Sequence, residues 1–588
     1  MTPQGKPRIE GRDLARALFR LTRLYWTSSD ARFGALLLIG AIALQLGTVY
    51  ANVLVSLAER DVGNALGARD AGAFGRSVAL MVGVMMLAVV TPAYSEWVQE
   101  RLRIRWRKWL TAHFVERWIG PQAYCQADLH RVAVDNPDVR ITDDIRDFVA
   151  SALGLSLTLL SAIVTLVSFS AMLWSISSGW RLPIAGQMRE VPGLLLWVAI
   201  VFALGSMWIT NRVGRRLVPI NFDRIRLEAD FRYGLVRYRD HVEAVALMNG
   251  GDVERRGAGA RFEKVVGNFK QLVGAQRDLT ILTQGIGVAN SLIPLGVAGL
   301  AYFADMLSLG VIAQTRFAYG QVAGGLAWFV NAYQEIARWR ANIERLSSFA
   351  DAIDSTAHEF ETAGIEISRV EPERIVLDDL SVEGPRGHLL LRSATARIEP
   401  GERVAITGPA GSGRTLLMRA LAGIWPFGSG RIGEPRRERM FFLAQQPYLP
   451  IGTLRAAIAY PSHPETFADA MIAVALRSFG LEDLVARLDE EEPWAQTLSQ
   501  QQQQRLALAR VLLHEPDWVL LDEATSNLDA ETEKRVYETL LERVPKASIV
   551  SVVERPGALE LLPRRIRLVP ESTGTVRLEA ASALAASP

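Results

Sequence analysis

Gly408-Pro-Ala-Gly411-Ser412-Gly413-Arg414-Thr415 lies between a short β-rich run, ARIEPGERVAIT, and a helix-forming segment, LLMRALAG. Glycines at this spacing let main-chain N–H groups converge on an anion, and the helix start adds the positive end of its dipole. The chemistry on offer is the cradling of phosphate oxygens. An ordinary glycine turn before a helix gives the same octet, and Arg414 stands where a phosphate loop carries lysine. Further along, Val519-Leu-Leu-Asp522-Glu523 is an apolar run ending in two carboxylates. Asp522 is placed to hold Mg2+ through water, and Glu523 to polarise an attacking water. Apolar strands ending in acids are common, so this pair gains meaning only from its neighbours. Leu498-Ser499 followed by Gln500–Gln504 and RLALAR precedes it, Thr525-Ser526-Asn527-Leu528-Asp529 follows it, and Gln445 lies between it and the glycine loop. A glutamine run on its own suggests low complexity. Flanked by LS and RLALAR, and in fixed order with the other elements, it reads as part of a nucleotide site.

The elements that must position these residues divide the chain in two. Its 588 residues are 49% hydrophobic and 22% charged, with a mean hydropathy of +0.13. A membrane half joined to a soluble half accounts for those figures together. A net charge of +2 gives no reason to expect nucleic acid as a partner, and the lone Cys125 excludes an intramolecular disulfide or a cysteine metal cage. The N-terminus is polar and basic through Arg23, so the first apolar run is expected to be a retained span. Six candidate spans fall near Phe33–Leu57, Ser77–Val98, Val149–Trp174, Pro192–Thr210, Leu279–Phe303 and Leu307–Tyr333. The second and sixth read as the least apolar. Glu96, Gln314, Arg316, Gln321 and Asn331 in those two are costly against lipid, and are expected to face a water-filled cavity or a partner.

The connections after spans two and four are long and basic, opening with RLRIRWRKW and NRVGRRLVP; the others are short or lightly charged. Lysine and arginine at membrane ends favour the cytosol, which places these two connections and both termini inside. From about Ser355 short strand-like runs alternate with helices, the pattern of a parallel α/β sheet. The expected domains are a six-helix transmembrane domain over 1–350, a linker over 351–370 and an α/β P-loop nucleotide-binding domain over 371–588.

With the glutamines standing at LSGGQ positions, the second half resembles an ABC ATPase domain. AGIWPFGSGRI and FLAQQPYLPIGTLRAAIAYP are similar to the subgroup containing peroxisomal fatty-acyl transporters and SbmA/BacA-like bacterial transporters. So are VDNPDVRITDDI (Val134–Ile145), FRYGLVRYRDHVEAVALMNG (Phe231–Gly250), IRWRKWLT and IARWRANIERL in the first half. The resemblance implies a half-transporter of exporter-type fold embedded in membrane lipid, acting as a homodimer. The phosphate loop of one copy would then meet the signature of the other across each of two ATP sites. It implies ATP and Mg2+ as cofactors, with Gly408, Gly411, Ser412, Gly413, Arg414, Thr415, Ser499 and Gln501 binding nucleotide. Thr415, Gln445 and Asp522 would hold the metal, and Glu523, Gln445 and the residue at 554 would serve catalysis. The loops Asp135–Ile145 and Tyr233–Asn249 would be coupling elements.

Three elements depart from that pattern. Arg414 replaces the phosphate lysine, and its planar fork is no steric equivalent. Gln500 and Gln501 fill glycine positions where backbone must approach the γ-phosphate. Glu554 replaces the switch histidine with a negative group. Nucleotide binding with weak hydrolysis is the expectation for this ATPase-type translocase. Three functions follow: carriage of peptides or other hydrophilic solutes across a bacterial inner membrane, fatty-acyl or lipid transport, or proton-coupled transport with a regulatory nucleotide domain. Glu59, Glu96 and Glu335 are the acids the last would draw on.

Overall fold

A computed structural model describes residues 11–120, 136–184, 187–361, 364–384, 387–571 and 575–581. They form two compact units, one from Met1–Phe114 with Pro137–Ser348, the other from Val115–Asn136 with Phe349–Pro588. The first is helical. An amphipathic helix α1 (Gly11–Trp26), not anticipated from sequence, precedes α2 (Ala31–Gly67) and α3 (Ala71–Ile119). There follow α4 (Pro137–Ser177), α5 (Leu194–Asp240, irregular at Arg215–Arg216), α6 (Gly251–Phe303) and α7 (Leu309–Glu361). Five of these, α2 to α6, are long and apolar enough to cross a membrane. The second span is as apolar as its neighbours, contrary to expectation, because Leu, Val and Met crowd residues 79–90 around no charge at all. α7 is equally long but diluted by Gln314, Arg316 and Gln321. Each expected span sits inside a much longer helix, apart from Pro192–Gly193, just ahead of α5, and Leu307–Ser308, just ahead of α7.

Polar side chains within the bundle are spent mostly on one another. Ser95 Oγ donates to Gln45 Oε1 at 3.1 Å and receives Gln99 Nε2 at 3.0 Å, a ladder between α2 and α3. Gln314 is buried rather than facing a cavity: its amide lies 3.6 Å from the Met172 sulfur, which Ser56 Oγ also approaches at 3.4 Å. Glu96 and Arg316 are exposed and Gln321 is half-buried; the side chain of Asn331 lies outside the described residues. Gly63 and Gly310 bring α2 and α7 into backbone contact, where a Cβ on Gly310 would collide with the Arg60 carbonyl oxygen. Asn64 Oδ1 accepts the Gly310 N–H there at 3.0 Å. α1 is pinned by rings, Tyr25 stacking on Trp106 of α3 with centroids 5.5 Å apart. Its Tyr25 and Leu21 are wholly buried.

The expected long connections are largely helical among the described residues. The first resumes at Pro137 with one α-turn and a π-turn, Arg140–Asp144, so its motif is described from Asn136 on; Val134 and Asp135 lie outside the described residues. Asp144, with 5% of its side chain exposed, accepts Arg345 Nε at 2.8 Å and Arg140 Nη1 at 2.8 Å. The second carries the short helix Val242–Leu247, whose end presents Leu247 and Met248, each 81% exposed.

The second unit is built on a ten-stranded sheet: β1 (Ile365–Arg369), β2 (Ile375–Glu383), β3 (Leu389–Ile398), β4 (Arg403–Thr407), β5 (Gly428–Glu434), β6 (Met440–Leu443), β7 (Trp518–Asp522), β8 (Ser548–Val552), β9 (Arg564–Pro570) and β10 (Val576–Ala581). Their order is β1-β5-β2-β3-β10-β9-β4-β8-β7-β6. The run β9-β4-β8-β7-β6 is parallel; its inner strands β4, β8 and β7 are buried on both faces, whereas β9 alternates, with Arg567 exposed. The sheet as a whole is mixed rather than parallel: β2 pairs antiparallel with β3 and β5, and β9 with β10. β2 and β3 follow one another with no crossover helix between them and so pair antiparallel. The interval expected as a linker holds the last turns of α7 and the strand β1.

Candidate functional site

The glycine loop spans the end of β4 and the start of α8 (Arg414–Leu421). Gly411 and Gly413 have φ of +80° and +81°, a region a side chain strains to enter. Ser412 is buried, and its Oγ has no hydrogen-bond partner within the protein, as expected of a group kept for an anion. A Cβ on Gly408 would press on the Leu568 carbonyl oxygen and Ser412 Oγ. Thr415 Oγ1 donates to Asp522 Oδ1 at 3.3 Å, so two of the three proposed Mg2+ holders lie together at the ends of α8 and β7. Burial pushes the Asp522 carboxyl above its usual range; Thr415 opposes this, Glu523 adds to it, and Arg419 and Arg414 oppose it.

Arg414 does not reach into open solvent. Its side chain is 7% exposed and its two terminal nitrogens go to different carboxylates: Nη1 to Glu554 Oε1 at 2.5 Å, Nη2 to Glu523 Oε1 at 3.1 Å. The positions of three chemistry-bearing residues, drawn from α8 and from the loops after β7 and β8, thus form one ion-pair cluster around the buried Arg414. Glu523 takes φ +52°, a left-handed backbone rare for a side chain of that kind.

The glutamine run is a set of distinct contacts. α9 (Gln500–His514) is capped by Ser499, whose Oγ accepts the Gln502 N–H while Gln502 Oε1 accepts the Ser499 N–H, a reciprocal capping box. Gln503 donates to the carbonyls of Leu498 and Ala495. Gln500 and Gln501 are exposed on the first turn. Gln504, which sequence reasoning passed over as one more member of the run, is 1% exposed. Its Nε2 donates to the Gln445 carbonyl at 2.9 Å, and its Oε1 accepts the Asn527 N–H at 3.1 Å. Gln445 Nε2 reaches Ser526 Oγ at 3.4 Å. Gln504 therefore ties the loop bearing Gln445 to the segment after Glu523. The signal was its position four residues before Leu508, on the buried face of the helix. Gln504→Ala is expected to cost about 1–3 kcal/mol by leaving a backbone donor and acceptor unpaired. Thermal unfolding of the full chain measures it, and an unchanged transition would show that water replaces the amide without loss. Among the described residues there is no group of three or more His, Cys, Asp or Glu able to hold a metal.

A parallel-sheet core with a glycine loop, a capped signature helix and paired carboxylates, carried with a long-helix membrane unit, defines a membrane protein with an ATP-binding domain. Residues 21–303 match the family described as ABC transporter transmembrane region 2, and residues 391–526 the family described as ABC transporter. The chain is 33% identical to an uncharacterized ABC transporter ATP-binding protein of Synechocystis, over 88% of this chain and 78% of that one. It is 26% identical to the inner membrane ABC transporter ATP-binding protein YddA of Escherichia coli, over 92% and 95%. The solved structure of a bacterial Atm1-family ABC exporter with ATP bound is similar with a TM-score of 0.67, at 18% identity, over 95% of this chain and 96% of that one. The chain belongs to the ABC transporter family, as a half-transporter with an exporter-type fold.

Proposed function

We propose that this half-transporter works as a homodimer in a bacterial inner membrane, moving a hydrophilic solute, with peptides as one class, and that it binds Mg-ATP while hydrolysing it slowly. The observation that carries the slow hydrolysis is the anchoring of Arg414 on Glu523, because a carboxylate already paired to a guanidinium is a poor activator of water. The residues fit Mg-ATP: the glycines at positive φ and unpartnered Ser412 Oγ suit phosphate, and Thr415, Asp522 and Gln445 would hold the metal. When bound, ATP supplies a cleavable phosphoanhydride and Mg2+ screens its charge. Gly408–Thr415 orients the phosphates through main-chain N–H groups, with Ser499 of the partner subunit closing the other side. The exposed Leu247–Met248 tip lies in the loop Tyr233–Asn249, the second candidate coupling element.

A hydrophilic cargo is favoured by the exposed Glu96 and Arg316, charged groups that are costly on a purely lipid-facing bundle. The inner-membrane setting is carried over from the Escherichia coli relative's description. Uptake of a labelled peptide into proteoliposomes, with ATP and a pH gradient varied independently, tests the reading. Accumulation that follows ATP supports an ATP-driven carrier. Accumulation that follows the gradient alone assigns the nucleotide domain a regulatory role and makes Glu96→Gln the next variant. Uptake of fatty acyl groups but no peptide would replace the proposed cargo.

A further inference from the structure

The departures at 414 and 554 are not independent in space. Arginine offers two terminal nitrogens in a rigid fork, and here one goes to Glu554 and the other to Glu523. A lysine has one terminal nitrogen and lacks the planar two-pronged fork by which Arg414 holds the two carboxylates separately. A neutral histidine at 554 would leave the buried guanidinium with Glu523 alone. With Glu554 present, one cation faces two carboxylates at the mouth of a phosphate cradle, beside a third acid, Asp522. That arrangement repels polyphosphate unless the guanidinium changes partners.

We infer that Glu554 is a positioning residue for Arg414: it holds the guanidinium over Glu523 in a latch that nucleotide phosphate must open. This inference rests on the Mg-ATP reading of the site. In the latched state Glu523 is neutralised by its neighbour and the cradle lacks its cation. In the open state the phosphates take over Arg414, a substitution of one anionic partner for another that keeps the buried charge paired. Glu554 is the weaker anchor, since 63% of its side chain is exposed while 30% of that of Glu523 is. The latch is therefore expected to open from the Glu554 side.

The test is trinitrophenyl-ATP binding, with Mg2+, to the full-length protein and to Glu554→Gln, Arg414→Lys, Glu554→His and the Arg414→Lys/Glu554→His double variant. Glu554 is exposed enough that its replacement leaves folding intact, and Glu554→Asp serves as a shortened control. Glu554→Gln is expected to bind roughly two- to fivefold more tightly, the range of an exposed ion pair released. It should show no gain in hydrolysis, because Arg414 still occupies Glu523. The double variant is expected to hydrolyse faster than the two single changes combined would give. A purely structural Glu554 would not produce that split between binding and turnover. Unchanged or weaker binding in Glu554→Gln, or additive effects in the cycle, overturns the latch. Binding by the wild type that is lost in Thr415→Ala supports the Mg-ATP reading separately. If neither the wild type nor Glu554→Gln binds, that reading fails and the latch falls with it.

Discussion

Thr415→Val and Asp522→Asn are each expected to weaken Mg-ATP binding by roughly 10–100-fold, the cost usual for residues that hold or orient a metal. Binding of Mg2+-free ATP should change far less, because the phosphate cradle is main chain and the Ser412 hydroxyl. The hydroxyl–carboxyl contact at 3.3 Å joins the two positions, so the double variant should be little worse than either single one. The metal needs Asp522 ionised, and burial lifts that carboxyl above its ordinary range. Mg2+ affinity should therefore fall on acidification at a pH above the usual aspartate range, and recover as the pH rises past the lifted value. Titration calorimetry with ATP at several pH values, with and without Mg2+, measures both effects. Equal loss of Mg2+-dependent and Mg2+-free binding would show that these residues support the loop rather than the metal.

Asp144→Ala is the change expected to damage the membrane unit most. The carboxylate sits at the start of α4, buried, between Arg140 of its own turn and Arg345 near the far end of α7. Removing it takes away the buried carboxylate that both guanidinium groups share. Loss of one partner from a buried pair costs about 3–5 kcal/mol, and the exposure of Arg345 (39% of its side chain) puts this case near the lower end. A lowered unfolding temperature in detergent, with Asp144→Asn between the wild type and alanine, is the expected pattern. An alanine variant that unfolds with the wild type would mean that α4 and α7 are held by their apolar faces alone.

Much of the design is local and therefore visible in the chain. Apolar runs announce membrane helices because burial in lipid demands them wherever the chain goes next. The glycine loop and the acidic end of β7 are legible for a similar reason: phosphate and metal chemistry demands fixed residue types at fixed spacing. The three departures at Arg414, Gln500–Gln501 and Glu554 are also plain, as substitutions. Less visible were α1, whose apolar stripe is too short and too charged between contacts to stand out, and the burial of Gln314, decided by where Met172 of another helix happens to lie. The antiparallel strands of the sheet escaped because pairing direction depends on connections, not on strand composition.

What the sequence by itself determined is the class of protein, the order of its parts and the identity of the altered positions, since each is set by short-range pattern. Only the tertiary structure decided what those alterations do to one another. Residues 414, 523 and 554 are far apart in the chain, and nothing in their spacing says that one guanidinium spans two carboxylates. That arrangement exists because β7, β8 and the start of α8 end side by side at one edge of a parallel sheet. At close range in a partly buried setting, charges must find partners, and the fold decides which ones are within reach.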